Sequence, residues 1–452
     1  MARTQIFMAS TLYGAATLAA ALDAGLFTAA DRRLLLVSNN AGVPETTPTL
    51  DTMPGFEALR GRFDRVLSWN EAIAPLHPGG WSPRNEDIPM WERHLRLLWG
   101  LGDDDLELVV ESIQVAPALS LVQLFPAAPV QVYADGLMSY GPTRDKLEPL
   151  ITTRISRLLH LDLVTGLQPL LLSEYGVRGE LVPSEAFTKV LGELAEHDDP
   201  TDTVTGLPQG AALLLGQYLS ALGILTAEEE EALHVRMLRG AVALGHRLVI
   251  FKPHPTAPAH WSRLLEQEAV KLGAELTVLD SPVLAEVLYA RIRPALVVGC
   301  FSTALLTASA FYGIPVARTG TELLLERLAP YQNSNRVPVT IADRVLPEIG
   351  ESGAVTGWKP PTREWVEQDL TPLLRSVGYC MQPQAYPYLR DEAVAYLTKS
   401  LTTSTWKYFK RRRLTSLVLP GAVPAQLAFL PRNPTVRRVA RSARALKRAA
   451  LG

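Results

Sequence analysis

The sequence predicts an α/β protein of two domains, each built on a parallel sheet, and three observations carry that expectation. Short apolar, β-branched runs recur along the chain, each closed by Gly, Pro or a polar cluster, and most give way to helical spacing; that alternation is the mark of βαβ units. A polar passage rich in Pro and Gly, residues 197–210, interrupts the series, and a second series starts directly after it. At 452 residues the chain is too long for one core of ordinary size, so the passage reads as a linker. The domains expected are residues 1–203 and 204–350, followed by helices over 351–401 that pack back on them and a basic extension over 402–452.

In the first half, residues 5–9 read as a strand, 10–14 as a turn and 15–26 as a helix. The small apolar stretch 13–22 behind Arg3 imitates a signal peptide, but Asp23 falls where an apolar core should continue. No apolar run approaches the roughly 18 residues needed to span a bilayer. Residues 33–38 form a second buried strand that delivers Ser38, Asn39 and Asn40 at its end. Prolines 75, 78, 83 and 89 with Gly79 and Gly80 predict a long loop over 71–90, and the His77-Pro78 pair inside it has no buried strand before it. Helical spacing returns over 91–101, a strand follows at 106–113 and a helix at 117–125. Pro129 then opens a short strand from Val130, closed by Asp135 and Gly136. Asp135 stands at a strand end, where it either caps its own turn or reaches a ligand. Arg144 in the loop beyond either folds that loop or faces an anion. Residues 153–195 carry weaker punctuation.

The second half is more regular. A strand at 211–215 leads into a loop over 216–220, and Thr226 caps a helix whose first turn is acidic, residues 228–231. Residues 248–251 form a buried strand stopped by Pro253 and Pro255, so Lys252 and His254 are delivered on stiff, extended backbone. Open α/β sheets bind ligands at such carboxyl ends of strands. Further elements follow at 275–279, 283–290 and 295–298. Gly299, Cys300, Phe301, Ser302 and Thr303 then turn straight into a helix that Gly313 ends, before a strand from Val316. Ser302 caps that helix in any protein, and the same N-terminus offers N–H groups and two hydroxyls to an anion. Lys252 is either solvated or placed beside a phosphate.

Two cysteines in so long a chain make neither a disulfide framework nor a zinc site, and their scarcity points to a reducing compartment. No metal is implied. The net charge of −2 conceals an uneven distribution, because no acidic residue follows Glu392 while Lys399 and twelve further Lys or Arg residues do. Trp406 to Arg413 mix aromatic and basic residues. Beyond Pro434, Val436, Val439, Ala440, Ala443, Leu446 and Ala450 share a helical face, with most arginines off it. The segment reads either as a disordered basic tail or as an interfacial helix on an anionic membrane surface. Nucleic acid is not the expected partner, since the body of the protein is not basic.

The Asp135-Gly136, His254-Pro255 and Ser302-Thr303 motifs, in that order and each at a strand end, resemble those of the bacterial polysialyltransferase family and, more distantly, other bacterial sialyltransferases. The resemblance extends over about residues 5–325 and implies two facing Rossmann-like domains, the GT-B arrangement, with the acceptor on the first and a nucleotide sugar on the second. It implies an inverting transfer of sialic acid, or a related nonulosonate, from a CMP-activated donor to a glycan or lipid-linked glycan in capsule polysaccharide synthesis, without a cofactor. The expected location is the cytoplasm, at the inner face of the membrane. On this resemblance Asp135 is the general base and His254 the leaving-group acid. Ser302 and Thr303 hold the donor; Lys252, Pro255 and Gly299 beside them are further donor-side candidates, and Gly136, Arg144, Asn39 and Asn40 are candidates on the acceptor side. The first acidic position of the family's acidic-acidic-Gly motif is Ala134 here. Two other readings are a transferase or epimerase for a different nucleotide sugar and a non-catalytic binding protein of polysaccharide assembly.

Overall fold

The apolar runs become the strands of two parallel sheets. The computed structural model describes residues 2–134, 136–196, 204–254, 262–350 and 355–422. The first sheet has seven strands, β1 (Arg3–Ala9), β2 (Arg32–Val37), β3 (Arg65–Ser68), β4 (Asp105–Val110), β5 (Val130–Ala134), β6 (Ile155–His160) and β7 (Arg178–Leu181), in the order β3-β2-β1-β4-β5-β6-β7. The second has five, β8 (Ala212–Leu215), β9 (Leu248–Lys252), β10 (Glu275–Val278), β11 (Leu296–Gly299) and β12 (Val316–Arg318), in the order β10-β9-β8-β11-β12. All pairings are parallel. Each sheet starts in its middle, winds to one edge and then crosses to the other side. The strand order therefore reverses beside β1 and beside β8, and a doubly wound sheet opens its ligand crevice at such a reversal.

Helices cover both faces, which is why the central strands are continuously apolar: β8 and β11 are buried along their whole length. Helix α1 (Leu12–Asp23) begins three residues before the position expected from periodicity, because the Thr11 side chain accepts the Gly14 N–H and caps it. The expected loop over 71–90 is shorter at both ends. A turn of helix over Trp69–Ile73 is capped by Ser68. At the far end, helix α2 (Ile88–Trp99) takes Pro89 into its first turn, where a missing N–H costs nothing. Helix α3 (Ala118–Leu124) follows β4 as expected. The weakly punctuated stretch holds β6, β7 and helix α4 (Ser184–Glu196). Strand β7 is a largely exposed edge strand, so its sequence lacks an apolar run.

In the second half, helix α5 (Ala227–Ala243) carries a full capping box between Thr226 and Glu229. Helix α6 (Ala285–Ile292) leads to β11, and helix α7 (Thr303–Tyr312) leaves it, ending at Gly313 in the left-handed region. Helices α8 (Arg336–Val345), α9 (Thr371–Met381) and α10 (Arg390–Ser400) follow the second sheet.

Two C-terminal features tie the molecule together. The α9 region returns to the first domain: the Leu170 side chain packs so closely on Gly378 that a Cβ there would lie 2.4 Å from it. Tyr386 adds polar contacts, its hydroxyl donating to Leu170 O at 3.0 Å and accepting from the Thr143 N–H at 2.9 Å. With two facing doubly wound domains and a chain that crosses back, this is the GT-B arrangement. The basic segment also begins inside the folded body, which places a packed stretch within the extension drawn from residue 402. Tyr408 is buried and donates to Asp343 Oδ2 at 2.6 Å, Lys407 pairs with the same carboxylate at 2.6 Å, and Arg413 donates to Cys380 O at 2.6 Å. The interfacial-helix expectation falls on residues 434–452, outside the described residues.

Candidate active site

The carboxyl edge of the second sheet gathers three strand ends around the β8 reversal. Strand β9 delivers Lys252, Pro253 and His254, β8 delivers Gly216, Gln217 and Tyr218, and β11 delivers Gly299 through Thr303. The strands that carry His254 and Ser302 flank β8, so their ends stand two strand spacings apart, about 10 Å. Gly216 is required by this crowding: a Cβ there would lie 3.0 Å from the Phe251 ring and 3.2 Å from Pro253 Cα. Pro255 lies outside the described residues.

Ser302 is the N-cap of α7, its Oγ accepting the Ala304 N–H at 3.3 Å. Phe301 N–H is held by Gln217 Oε1 at 3.1 Å, which fixes the turn ahead of the helix. The first turn of α7 then directs its N–H groups and the positive end of its dipole into the crevice between β8 and β11. Gln217 was missed by sequence reasoning, although it follows a buried strand just as Lys252 does. Tyr218 was missed as well; its ring centroid lies 6.4 Å from that of His254.

The electrostatics of the edge come from burial. The Lys252 ammonium is drawn down to about 8, chiefly by desolvation, while Glu286 and Asp280 act to hold it charged. It donates to Ser281 O at 2.9 Å, so it is an anchored cation and not a solvated one. Glu286, buried in the first turn of α6, is pushed up to about 7 by desolvation, against the pull of Lys252 and a hydrogen bond from Thr307. His254 as a whole is solvent-accessible. Enough protein nevertheless surrounds its ring to lower its pKa, and the Lys252 charge acts in the same direction. The imidazole is therefore neutral at pH 7 in the free protein, and an arriving phosphate would favour its charged form.

The first domain meets this edge directly. A Cβ built at Gly136 would lie 3.0 Å from Thr303 Oγ1, and the same oxygen accepts from the Leu137 N–H at 3.4 Å. Tyr13 and Thr307 hydroxyls, one from each domain, lie 3.1 Å apart. Asp135 lies outside the described residues; of its neighbours, Ala134 ends β5 and Gly136 faces Thr303 across the domain boundary.

Arg144 is exposed and lines a cleft of about 250 Å³ with Glu111, Ser112, Ala134, Gly136, Ser139, Ser334 and Met381. Its backbone is held by Gln114, which accepts its N–H, and by Gln382, which donates to its carbonyl at 2.7 Å. Asn39 and Asn40 end β2, three strands from β5. The Asn39 amide is committed to its own loop, donating to Pro44 O at 3.0 Å and Thr47 O at 2.8 Å, and Asn40 accepts from Ser38. His77 likewise closes its loop, 3.0 Å from Ala41 O. Both cysteines are free and buried. Among the described residues no cluster of His, Cys, Asp and Glu is arranged to hold a metal ion, and no helix is long and apolar enough to cross a membrane.

Comparison with known proteins adds the following. Residues 5–321 match the model of the Alpha-2,8-polysialyltransferase family. No individual protein of curated function matches. Among solved structures, the GT-B domain of a Photobacterium damselae sialyltransferase is 13% identical with a TM-score of 0.40, covering 75% of this chain and 96% of that one. A Photobacterium 2,6-sialyltransferase in complex with CMP and lactose is 12% identical with a TM-score of 0.42, covering 75% of each chain. Acinetobacter baumannii MurG is 12% identical with a TM-score of 0.40, covering 86% of this chain and 95% of that one.

Proposed function

The chain belongs to the alpha-2,8-polysialyltransferase family of glycosyltransferases, and from that premise we propose that it moves sialic acid, or a related nonulosonate, from a CMP-activated donor to a glycan acceptor with inversion. The observation that supports this reading most is the convergence of Lys252, His254 and the N-terminus of α7 on one sheet edge, with Gly136 of the first domain against Thr303. A nucleoside monophosphate leaving group is an anion, and that edge supplies a fixed ammonium, helix N–H groups and an imidazole. Ser302 and Thr303 border the phosphate, and Lys252 compensates its charge without leaving Ser281 O.

His254 acts on the leaving phosphate. It is neutral in the free protein and gains a proton as the donor's negative charge enters, so that it donates to the phosphate as the glycosidic bond breaks. Asp135, one residue before Gly136, takes the proton of the acceptor hydroxyl on the opposite side of the sugar. A carboxylate and an imidazole on facing domains match the two proton transfers of an inverting displacement. Ala134 carries no carboxylate, so on this proposal Asp135 alone supplies the motif's base.

The experiment is incubation of the purified protein with CMP-sialic acid, measuring CMP release with and without glycans, beside a thermal-shift panel of CMP, UDP, CDP and GDP. CMP release and selective stabilisation by CMP are expected. Stabilisation by UDP or GDP alone would reassign the donor, and CMP binding without turnover by any glycan would favour a non-catalytic role.

A further inference from the structure

A carboxylate that the proposed mechanism does not use stands beside it. Glu111 follows directly on β4, the neighbour of β5, and the pairing of Val110 with Val132 places it level with Tyr133. The Tyr133 hydroxyl donates to Glu111 Oε2 at 3.1 Å, and lies 3.0 Å from Met8 O, so the carboxylate is fixed and not free to swing into solvent. Glu111 is 9% exposed, and what it faces is the 250 Å³ cleft at the ends of β4 and β5, closed from the other side by Ser334 and Met381.

The backbone next to it is unusual. Ser112 takes a φ of 43°, in the left-handed region that a serine seldom enters. Such conformations persist where the surroundings over-determine them, and they cluster at binding and catalytic positions. Here the turn carries the chain away from the sheet immediately after Glu111, leaving the Ser112 residue on the cleft wall. Opposite, Ser139 hydrogen-bonds through its Oγ to Gly136 O at 2.9 Å, on the loop that meets Thr303. The cleft thus adjoins the Gly136 contact between the domains. Its size is at the small end for a ligand pocket, which suits one sugar ring at the end of a glycan and not a length of chain.

We infer that this cleft is the acceptor subsite and that Glu111 orients the acceptor, its carboxylate accepting hydrogen bonds from ring hydroxyls of the terminal sugar. A polyhydroxylated ring is rich in donors, and a fixed acceptor-only group selects one rotation of that ring. The ring is held so that one hydroxyl points past Gly136 toward the donor site. This inference rests on the transferase reading above and adds to it a residue that acts on the acceptor and not on the donor.

The test uses the full chain and Glu111→Gln, which preserves shape while removing the charge, with Glu111→Asp as a second variant. Three quantities are read: CMP affinity, CMP release from CMP-sialic acid without acceptor, and transfer to the best substrate found in a panel of lactose, sialyllactose and disialyllactose. The expected result for Glu111→Gln is an acceptor KM raised about tenfold or more, with CMP affinity and acceptor-free CMP release within twofold of wild type. Glu111→Asp should recover part of the loss. An unchanged acceptor KM, or a parallel fall in acceptor-free release, overturns the assignment, the latter by marking Glu111 as a merely structural residue. If the wild type releases CMP but transfers to none of these glycans, a sugar-binding cleft of this kind is also refuted. If the wild type neither binds CMP nor releases it, the transferase reading itself fails and takes this inference with it.

Discussion

Lys252 should make CMP affinity pH-dependent between pH 7 and pH 9, where the neighbouring Glu286, pushed up to about 7, completes its own ionisation and helps to hold the ammonium charged. With its pKa drawn down to about 8, the side chain is about 90% ammonium at pH 7 and about 10% at pH 9. A nucleoside monophosphate is already a dianion over that interval, since its second pKa is about 6. His254 is lowered below the ordinary imidazole value in the free protein, and a bound phosphate raises it. If only the ammonium form attracts the phosphate, this ionisation lowers CMP affinity about tenfold between pH 7 and pH 9, or about 1.4 kcal/mol. The bound phosphate favours the charged lysine, so the midpoint in the complex moves above 8 and the fall at pH 9 is this large or smaller. Calorimetric titration of CMP at pH 7, 8 and 9 measures it directly. Lys252→Met should bind CMP more weakly at pH 7 and show a shallower profile, the remaining slope coming from proton uptake by His254. Parallel slopes in the two proteins would refute the reasoning, because the pH-sensitive group would then lie elsewhere.

Further outcomes follow from the same geometry. His254→Ala should lower CMP release on the order of a hundredfold or more while changing CMP affinity much less, measured by single-turnover kinetics beside calorimetry. In the wild type, kcat should lose activity at a higher pH than kcat/KM on the alkaline side, since bound phosphate raises the imidazole pKa. Tyr408→Phe removes one donor from the buried Asp343 carboxylate, and chemical denaturation at pH 7 should show a loss of about 1–3 kcal/mol. Asp343 is held below the usual carboxylate range by Arg318, Lys407, Thr321 and Tyr408, against its burial. Its stabilising contribution is therefore complete above about pH 5, and is lost as pH falls through the unfolded value and then the lowered folded one. A chain ending at Ala422 should keep its fold and lose salt-sensitive binding to anionic vesicles, read by co-sedimentation; equal binding by both lengths would remove the tail as an electrostatic anchor.

How legible these features were depends on whether each is local. Strands β8 and β11 and the apolar runs Ile6 to Ala9 of β1 and Val249 to Phe251 of β9 could be read because a parallel strand covered on both faces is apolar where it is buried on both sides. The cap at Thr226 was legible because it is local, lying directly before the acidic first turn; that Glu229 closes a capping box came from the structure. Strand β7 was not, because an exposed edge leaves Arg178 and Glu180 in place of an apolar alternation. The site divides along the same line. Lys252, His254, Ser302 and Thr303 announce themselves by their own strand ends. Gln217 and Glu111 matter through partners far away in sequence, Phe301 and Tyr133, and nothing in their immediate neighbours says so. Tyr408 shows the converse: Trp406 to Arg413 reads as basic and aromatic by composition, yet the Tyr408 side chain is buried with its hydroxyl on Asp343, a partner far away in sequence.

Helix α7 links the two halves of the proposed reaction. Its N-cap turn borders the donor phosphate, its first residue, Thr303, accepts from the Leu137 N–H of the opposing domain, and Thr307 one turn later lies against Tyr13. Thr307 also donates back to Thr303 O at 3.2 Å, so the two cross-domain contacts belong to one rigid turn. Glu286, bonded to Thr307 and coupled to Lys252, connects that turn to the cation at the end of β9. A donor phosphate that orders the α7 N-terminus and the Lys252 charge therefore acts on the same atoms that set the distance between Gly136 and Thr303. The acceptor cleft, lined by Gly136 from one domain and Ser334 from the other, takes its width from that distance. Donor binding would then shape the acceptor site through contacts already present, without a moving loop.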